Sequence, residues 1–341
     1  MAEIVFGVGS SHTPMLGTQP EDWDQRAEAD RNNPAHPFRG GVYTYEELTE
    51  LRKGENLATQ HTAEVRQERH DASQKVLDQL GDKIRAADLD VLVIFGDDQR
   101  ECFLLEQSPA FSVYNGEKVL NKVLSQERLD TMSPGIAIAA WTNVPEDHDL
   151  EYAGEPELAD HVVSSLMLDE FDVSVSSKMP DGPWGENGIG HAFGFFYHRI
   201  LNDFEACQNM ATLPIFINTF FPPNQPTAKR VLNFGKAVGN AIRAWDSDKR
   251  VGIAASGGFS HFVIDEELDQ RILKAIANGD EAAIINEPEY SYQSGSSEIK
   301  NWIAAMGATQ GSGLKFDLLD YVPCYRSDAG TGNANTFGVW S

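Results

Sequence analysis

Short apolar runs alternate with longer amphipathic stretches along most of the chain. The apolar runs have the length and β-branched content of buried strands, and they lie at 3–9, 90–96, 136–141, 171–176, 213–219 and 250–255. Apolar residues at a spacing of three to four predict helices at 55–86, 156–169, 189–204, 227–245, 265–278 and 296–306. Strands that alternate with helices predict an α/β fold, in which helices cover both faces of a largely parallel sheet.

One long stretch breaks this alternation. Residues 17–54 are polar, charged and rich in Pro, Gly and Asn. A loop of this length inside a compact domain is typically a functional lid or an excursion over the surface. The length of 341 residues fits either two domains or one large α/β domain. We predict one catalytic domain over 1–341, with an insertion or lid at about 17–54.

Charge and cysteine content narrow the classes of function. The chain carries 27 Lys and Arg against 52 Asp and Glu, a formal net charge of −25. This charge repels phosphate backbones and anionic membranes, so we expect neither nucleic-acid nor membrane binding, and an anionic substrate needs a local cationic pocket. Three scattered cysteines, Cys102, Cys207 and Cys324, indicate free thiols. Because neither a secretory signal nor a membrane-length apolar run occurs, we expect a cytoplasmic protein.

Polar residues follow the predicted strands where each strand ends. They are Ser10-Ser11-His12, Asp97-Asp98-Gln99, Gly190-His191, Asn218 and Ser260-His261. In open α/β sheets, ligands bind outside the carboxyl ends of the strands, so these residues form a candidate active site. The chain lacks G-x-S-x-G, a Walker A loop, C-x-x-C and H-E-x-x-H. Imidazole, carboxylate and amide groups remain, which are typical ligands of non-haem Fe(II), Mn(II) or Zn(II).

Five motifs, in this order, resemble those of the class III extradiol dioxygenases, the family of the protocatechuate 4,5-dioxygenase β subunit and 2,3-dihydroxyphenylpropionate 1,2-dioxygenase. They are SSHTP at 10–14, GDDQ at 96–99, GIGH at 188–191, SGGFSH at 256–261 and SGSSEIKNW at 294–302. The resemblance covers about 3–310 and is poor over 17–60. It implies a three-layer α/β/α fold with a central mixed, mostly parallel sheet. It also implies that a catecholic ring is opened with O2 at Fe(II) held by two His and one Glu.

The resemblance assigns roles by position. His12 matches the first iron ligand and Glu298 the carboxylate ligand. His261 matches the catalytic base that deprotonates the substrate hydroxyl, and His191 matches a second active-site histidine that can donate a proton. A histidine with a pKa near neutrality suits both of these roles. We also expect Asp98, Asn218, Phe220 and Ser260 to contribute to the substrate pocket.

The motif at 96–99 departs from the family, because Gln99 stands where the second histidine ligand is expected. Four outcomes are open: Gln99 ligates through its weaker amide oxygen, Asp97 or Asp98 replaces it, His61 or His70 reaches across from the preceding predicted helix, or the chain binds no metal. His61 shares a helical stripe with Leu57 and Val65, which favours an inward orientation if that helix is regular.

We therefore predict a non-haem Fe(II)-dependent extradiol-type dioxygenase of aromatic catabolism, with a small aromatic substrate and O2 as its reaction partners. The departure at Gln99 keeps two alternatives open: a non-catalytic subunit of the same fold, and a hydrolase or lyase that uses Mn(II) or Zn(II) in the same pocket. The family resemblance also implies a homo-oligomer and leaves room for a small partner subunit.

Overall fold

Strands and helices alternate through the residues that the computed structural model describes, which are 1–183, 187–202 and 210–341. The strands, in chain order, are β1 Glu3–Ser10, β2 His36–Phe38, β3 Gly41–Tyr43, β4 Val91–Gly96, β5 Phe111–Tyr114, β6 Lys118–Asn121, β7 Leu150–Ala153, β8 Ser174–Ser176, β9 Ala211–Ile217, β10 Arg250–Ser256, β11 His261–Val263, β12 Phe316–Tyr325 and β13 Thr331–Trp340. The α-helices are α1 Trp23–Asn32, α2 Tyr45–Leu51, α3 Ala63–Ala86, α4 Gln126–Thr131, α5 Pro134–Ala137, α6 Pro156–Leu168, α7 His191–Phe195, α8 Ala228–Ala244, α9 Glu266–Asn278, α10 Glu281–Asn286 and α11 Ile299–Thr309. A π-helical turn, Phe196–Ile200, extends α7.

The main sheet has nine strands within the described residues, in the order β11-β13-β1-β10-β4-β9-β5-β8, and β12 pairs with β13. Its centre, β1-β10-β4-β9, is parallel. The flanking strands join it through antiparallel pairs of β1 with β13 and of β9 with β5. The prediction of a mixed, mostly parallel sheet is therefore confirmed.

Strand β4 shows how the sheet becomes the middle of three layers. All six of its residues are buried. Val91, Val93 and Phe95 join a core cluster that includes α8 and α11, whereas Leu92 and Ile94 join a cluster with α3 and α7 on the opposite face. A strand that is covered on both faces reads as a continuous apolar run, because successive side chains point to opposite sides.

Most of the predicted strands and helices are present in the structure, and the exceptions have local causes. The strand predicted at 136–141 is wrong, because the backbone there forms α5 and a 3₁₀ turn, Ala140–Thr142. A short, alanine-rich apolar run has no periodicity that separates a strand from a helix. The helix predicted at 55–86 begins at Ala63, after a 3₁₀ turn at Leu57–Gln60. The end of the helix predicted at 189–204 lies outside the described residues.

The polar stretch 17–54 is folded, and two ion pairs connect it to the rest of the chain. It contains α1, α2 and the β2–β3 hairpin. Asp30 of α1 accepts two hydrogen bonds, of 2.6 and 3.0 Å, from the buried guanidinium of Arg326. Arg39 makes a comparable two-point contact with Asp265, at 2.7 and 2.8 Å. A lid function for this stretch stays a prediction.

Two further sequence expectations concern the cysteines and the membrane. Cys102 and Cys324 are free and buried, and Cys207 lies outside the described residues. Within the described part of the chain, none of the helices combines the length and the apolar content needed to cross a bilayer.

Candidate metal and substrate site

Three neighbouring parallel strands bring distant parts of the sequence to one point. His12 follows the end of β1, Ser256 ends β10, and Asp97 directly follows β4. Because β10 lies between β1 and β4, these three residues meet at the carboxyl edge of the sheet. All three are buried. The structure thus places His12 and Asp97 together, although they are 85 positions apart in the sequence.

The hydrogen bonds of His12 fix the tautomer of its ring. The hydroxyl of Ser256 donates to the carbonyl of Ala192 at 2.5 Å, so its oxygen is left to accept from His12 Nδ1 at 2.9 Å. Nδ1 therefore carries the proton of a neutral ring. The Nε2 atom is buried and has no hydrogen-bond partner among the described residues. A histidine held through one nitrogen, with the other nitrogen open, is the arrangement that metal-binding histidines adopt.

Glu298 faces the open nitrogen of His12. Its Oε2 lies 3.3 Å from His12 Nε2 and accepts the backbone N–H of Gly258 at 2.7 Å. Burial opposes the charge of this carboxylate, but His12 and His261 hold its pKa well below the usual range. Glu298 immediately precedes α11, where the N-terminal end of a helix also favours an anion.

His261 completes the other side of Glu298. Its Nδ1–H donates to the carbonyl of Phe259 at 2.6 Å, and its Nε2 lies 3.3 Å from Glu298 Oε1. Burial opposes protonation of this ring, but the charge of Glu298 raises its pKa. Gly295 has no room for a side chain, because a Cβ there would meet the His261 ring at 2.2 Å. The glycine in the SGSSE motif is therefore what lets the chain pass close to this histidine.

His191 contacts the ring of His12. The two rings meet edge to face, with centroids 4.7 Å apart. His191 Nδ1 and Glu101 Oε2 are 2.6 Å apart, and both oxygens of Glu101 also accept the backbone N–H of His191. Burial opposes the charge of the ring, but Glu101 above all raises the pKa of His191 to about 10, so the ring is an imidazolium at neutral pH.

Asp97 and Gln99 form a hydrogen-bonded pair at the end of β4. Gln99 Nε2 donates to Asp97 Oδ2 at 3.1 Å, and Asn301 Nδ2 donates to Asp97 Oδ1 at 2.9 Å. Burial, and then the charge of Glu298, raise the pKa of Asp97. One atom from each of His12, Asp97 and His191 can be chosen so that all three lie within 4.8 Å of one another, which is close enough to share a metal ion.

A cavity of about 470 Å³ is lined by several of these groups, namely His12, Gln99, Glu101, His191, His261 and Glu298. Its wall is largely apolar and includes Leu124, Met132, Ile136, Ala139, Val144, Ile189, Phe220 and Phe262. Three cationic side chains, Arg100, Lys122 and Arg128, also line it. No residue of 17–54, all of which the structure describes, is part of this lining, whereas ten residues between 122 and 144 are. A pocket of this size and polarity suits a small aromatic molecule with a few polar groups.

The structure brings only some of the expected pocket residues to the cavity. Gln99 and Phe220 line it, together with His12, His191, His261 and Glu298. Asp98 instead accepts the backbone N–H groups of residues 100–103 and so shapes the turn after β4. Asn218 closes the turn to Phe221, and the Ser260 hydroxyl donates to Asp269.

His61 does not reach the cavity. It lies in the turn before α3 rather than on a helical stripe, and its Nε2 contacts Asp328 at 2.9 Å. His70 contacts Asp71 on α3 and also lies outside the cavity lining. The expectation of an inward-facing His61 is therefore wrong, because the helix begins only at Ala63.

Sequence reasoning missed Glu101 and the segment 122–144. Glu101 follows GDDQ by two residues, but a single glutamate after a strand gives no signal of a histidine partner 90 positions away. The segment 122–144 contains α4 and α5, and residues of both helices line the cavity. Its run at 136–141 was the one interpreted as a strand, so its position next to the pocket could not be predicted.

Comparison with known proteins adds a family and several relatives. A family model described as "catalytic LigB subunit of aromatic ring-opening dioxygenase" matches residues 58–330. A 2,3-dihydroxyphenylpropionate/2,3-dihydroxicinnamic acid 1,2-dioxygenase of Photorhabdus laumondii is 29% identical over 190 residues, which are 55% of this chain and 48% of the relative. A gallate dioxygenase of Pseudomonas putida is 28% identical over 164 residues, 45% of each chain. The chain thus spans about half the length of the curated relatives it matches.

Proposed function

The chain belongs to the family of the catalytic LigB subunit of aromatic ring-opening dioxygenases, which the sequence motifs had indicated, and from this premise we propose that it is a metal-dependent, extradiol-type dioxygenase. Its substrate is a catecholic aromatic molecule, which it opens with O2. We further propose that residues 1–341 act as one catalytic domain. The observation that carries the proposal is the open Nε2 of His12, which faces Glu298 at 3.3 Å in the lining of a largely apolar cavity.

The donor groups fit a divalent metal. An imidazole nitrogen that is buried without a hydrogen-bond partner leaves an unmet interaction, and the carboxylate opposite adds the negative charge that a cation requires. His12 and Glu298 would hold the ion. A divalent ion such as Fe(II) held there would supply Lewis-acid chemistry for the hydroxyl groups of a catecholic substrate and for O2.

The remaining side chains have roles in binding and proton transfer. His261 would accept the proton of a substrate hydroxyl at Nε2 when Glu298 holds the metal, because the carboxylate charge that raises the pKa of this ring is then balanced by the ion. His191 is a cation at neutral pH and stabilises negative charge that develops on an oxygen of the substrate, or donates its proton to it. The apolar wall around Phe220 and Ile136 holds the flat ring and excludes water. Two histidines placed in this way have no evident use in a non-catalytic subunit.

The proposal is tested by metal content and O2 uptake. The full chain is purified anaerobically and loaded with Fe(II), Mn(II) or Zn(II), and bound metal is measured by mass spectrometry. O2 consumption is then followed with a panel of catechols that includes gallate and 2,3-dihydroxyphenylpropionate. We expect one Fe(II) per chain and O2 uptake with at least one member of the panel. A metal-loaded protein that consumes no O2 with any catechol contradicts the proposal and favours the hydrolase or lyase alternative.

Two variants separate metal binding from proton transfer. Glu298→Ala should lose the metal. His261→Ala should keep it but lose a factor of about 10² to 10⁴ in turnover, which is the usual contribution of a general base. Equal loss of metal in both variants contradicts the assigned roles.

A further inference from the structure

The metal site contains a second carboxylate in addition to Glu298. Asp97 is fully buried, and its Oδ1 lies 4.0 Å from the open Nε2 of His12. Glu298 Oε2 lies 3.3 Å from the same nitrogen. Two carboxyl groups therefore approach one buried nitrogen that has no hydrogen-bond partner among the described residues.

Each of the three groups offers an atom that can bind a metal ion. Because the Nδ1–H of His12 donates to Ser256, the Nε2 atom is left to face the two carboxyl groups, with Glu298 Oε2 nearer than Asp97 Oδ1. A divalent cation bound by His12 Nε2 and by both carboxyl groups would satisfy all three.

Gln99 is oriented toward Asp97. Its amide Nε2–H donates to Asp97 Oδ2 at 3.1 Å. The other oxygen of Asp97, Oδ1, accepts a hydrogen bond of 2.9 Å from Asn301 Nδ2. Both oxygens of Asp97 are thus held by amide groups. Donors of this kind, which touch a ligand but not the ion, orient the ligands of metal sites.

We propose that Asp97 is the third protein ligand of the metal, in a set of one imidazole and two carboxylates, and that Gln99 and Asn301 are its positioning residues. The proposal rests on the proposed function only in placing a metal at this cavity. With His12 neutral, the two carboxylates balance the charge of a divalent ion. Since carboxylates favour harder cations than imidazole does, the affinity of this site for Mn(II) should be closer to its affinity for Zn(II) than in a site with two histidines.

His191 is the competing candidate for the third position. One ring nitrogen of His191 lies within 4.8 Å of ligand atoms of His12 and Asp97. Its Nδ1 contacts Glu101, and carboxylates often orient metal-binding histidines through such a hydrogen bond. The experiment therefore includes this residue.

Mn(II) binding is measured directly, by the loss of the free-ion EPR signal and by calorimetry, on the full chain after removal of bound metal. The variants are Asp97→Asn, Gln99→Ala and His191→Ala. Glu155→Gln is the control, because Glu155 is also a buried carboxylate but pairs with Lys249 at the opposite edge of the sheet. We expect Asp97→Asn to weaken Mn(II) binding by about 100-fold or more and Gln99→Ala by about 10-fold. Glu155→Gln and His191→Ala should change it less than about threefold.

Thermal unfolding shows whether a variant that loses Mn(II) binding is still folded. Asp97→Asn keeps the size and shape of the side chain, so the metal-free variant should still unfold cooperatively, and it should lose the increase in melting temperature that Mn(II) produces in the wild type. Retention of wild-type affinity by Asp97→Asn overturns the proposal, as does a wild type that binds neither Mn(II) nor Fe(II). Loss of affinity in His191→Ala alone assigns the third position to His191. A wild type that binds metal through Asp97 but consumes no O2 contradicts the dioxygenase function and leaves this ligand set standing.

Discussion

Replacement of Glu101 by Gln removes the carboxylate that faces His191 while keeping the shape of the side chain. In the wild type, Glu101 Oε2 lies 2.6 Å from His191 Nδ1, and both side chains are largely buried, with 20% and 25% exposed. An amide oxygen in the same place can still accept one hydrogen bond, but it does not carry the charge that holds the ring as an imidazolium.

The two pKa values bound the cost of this change. Burial opposes both charges, yet the pKa of His191 rises from 6.5 to about 10, and that of Glu101 falls from 4.5 to about 2. At about 1.4 kcal/mol per pKa unit, the first change corresponds to about 5 kcal/mol and the second to about 3 kcal/mol. The smaller value is the better measure of the pair, because Asp97 and Glu298 also raise the pKa of His191. We therefore expect Glu101→Gln to lower the free energy of unfolding by about 3 kcal/mol, which agrees with the usual cost of breaking a buried ion pair.

The pH dependence follows from the direction of each shift. The contribution of His191, whose folded pKa is raised, is fully present below pH 6.5 and is lost as the pH rises through about 10. The contribution of Glu101, whose folded pKa is lowered, is present above pH 4.5 and is lost as the pH falls through about 2. The difference between wild type and variant is thus largest between about pH 4.5 and 6.5.

Urea unfolding of the metal-free protein, followed by circular dichroism at pH 5.5, 7.5 and 9.5, measures this difference. It should fall from about 3 kcal/mol at pH 5.5 to below about 1 kcal/mol at pH 9.5. Glu106→Gln is the matched control, since Glu106 is an exposed carboxylate on the same connection, and it should change stability by less than about 0.5 kcal/mol. A cost for Glu101→Gln that is below 1 kcal/mol, or that does not vary with pH, refutes the reasoning.

Two other predictions test the parts of the fold that surround the site. Asp30→Asn leaves the fully buried Arg326 without its charged partner, so the free energy of unfolding in urea should fall by about 3–5 kcal/mol. A decrease below about 1 kcal/mol contradicts the anchoring of 17–54 through this pair. Ile136→Trp fills part of the cavity next to α5, so the KM for catechols with a long side chain should rise while the amount of bound metal stays unchanged. An unchanged KM for all catechols contradicts the placement of 122–144 next to the substrate.

The central sheet could be predicted from the sequence because its strands are covered on both faces. Strands such as β4 and β9 are almost entirely buried, so nearly all of their residues are apolar, and such a continuous apolar run can be recognised in the sequence. Strand β13 is equally buried but reads TGNANTFGVW, and its polar groups are satisfied by specific partners, as when Thr13 donates to Asn335 at 2.7 Å. Such a strand carries no hydrophobic signal, so no element was predicted beyond residue 306.

Site residues could be predicted where a motif follows a predicted strand, and could not where a side chain serves the backbone. His12 and His261 follow strand ends, and the structure places both beside Glu298. Asp98 and Ser260 stand in the same motifs, yet their oxygens accept or donate hydrogen bonds within the loops. Composition cannot separate these two uses of a polar residue, because both place it at a strand end.

The departure at Gln99 is best understood together with Asp97, because the two residues act through one hydrogen bond at the end of one strand. A histidine at position 99 would add an imidazole to a space that already contains two carboxylates and His12. It would also remove the amide donor from Asp97 Oδ2, which is then left with a buried, unsatisfied lone pair. The pairing of Asp97 with Gln99 avoids both costs. We therefore expect Gln99→His alone to weaken Mn(II) binding, and Asp97→Asn combined with Gln99→His to restore it, as measured by calorimetry. Tighter binding in Gln99→His alone would show that the two positions act independently.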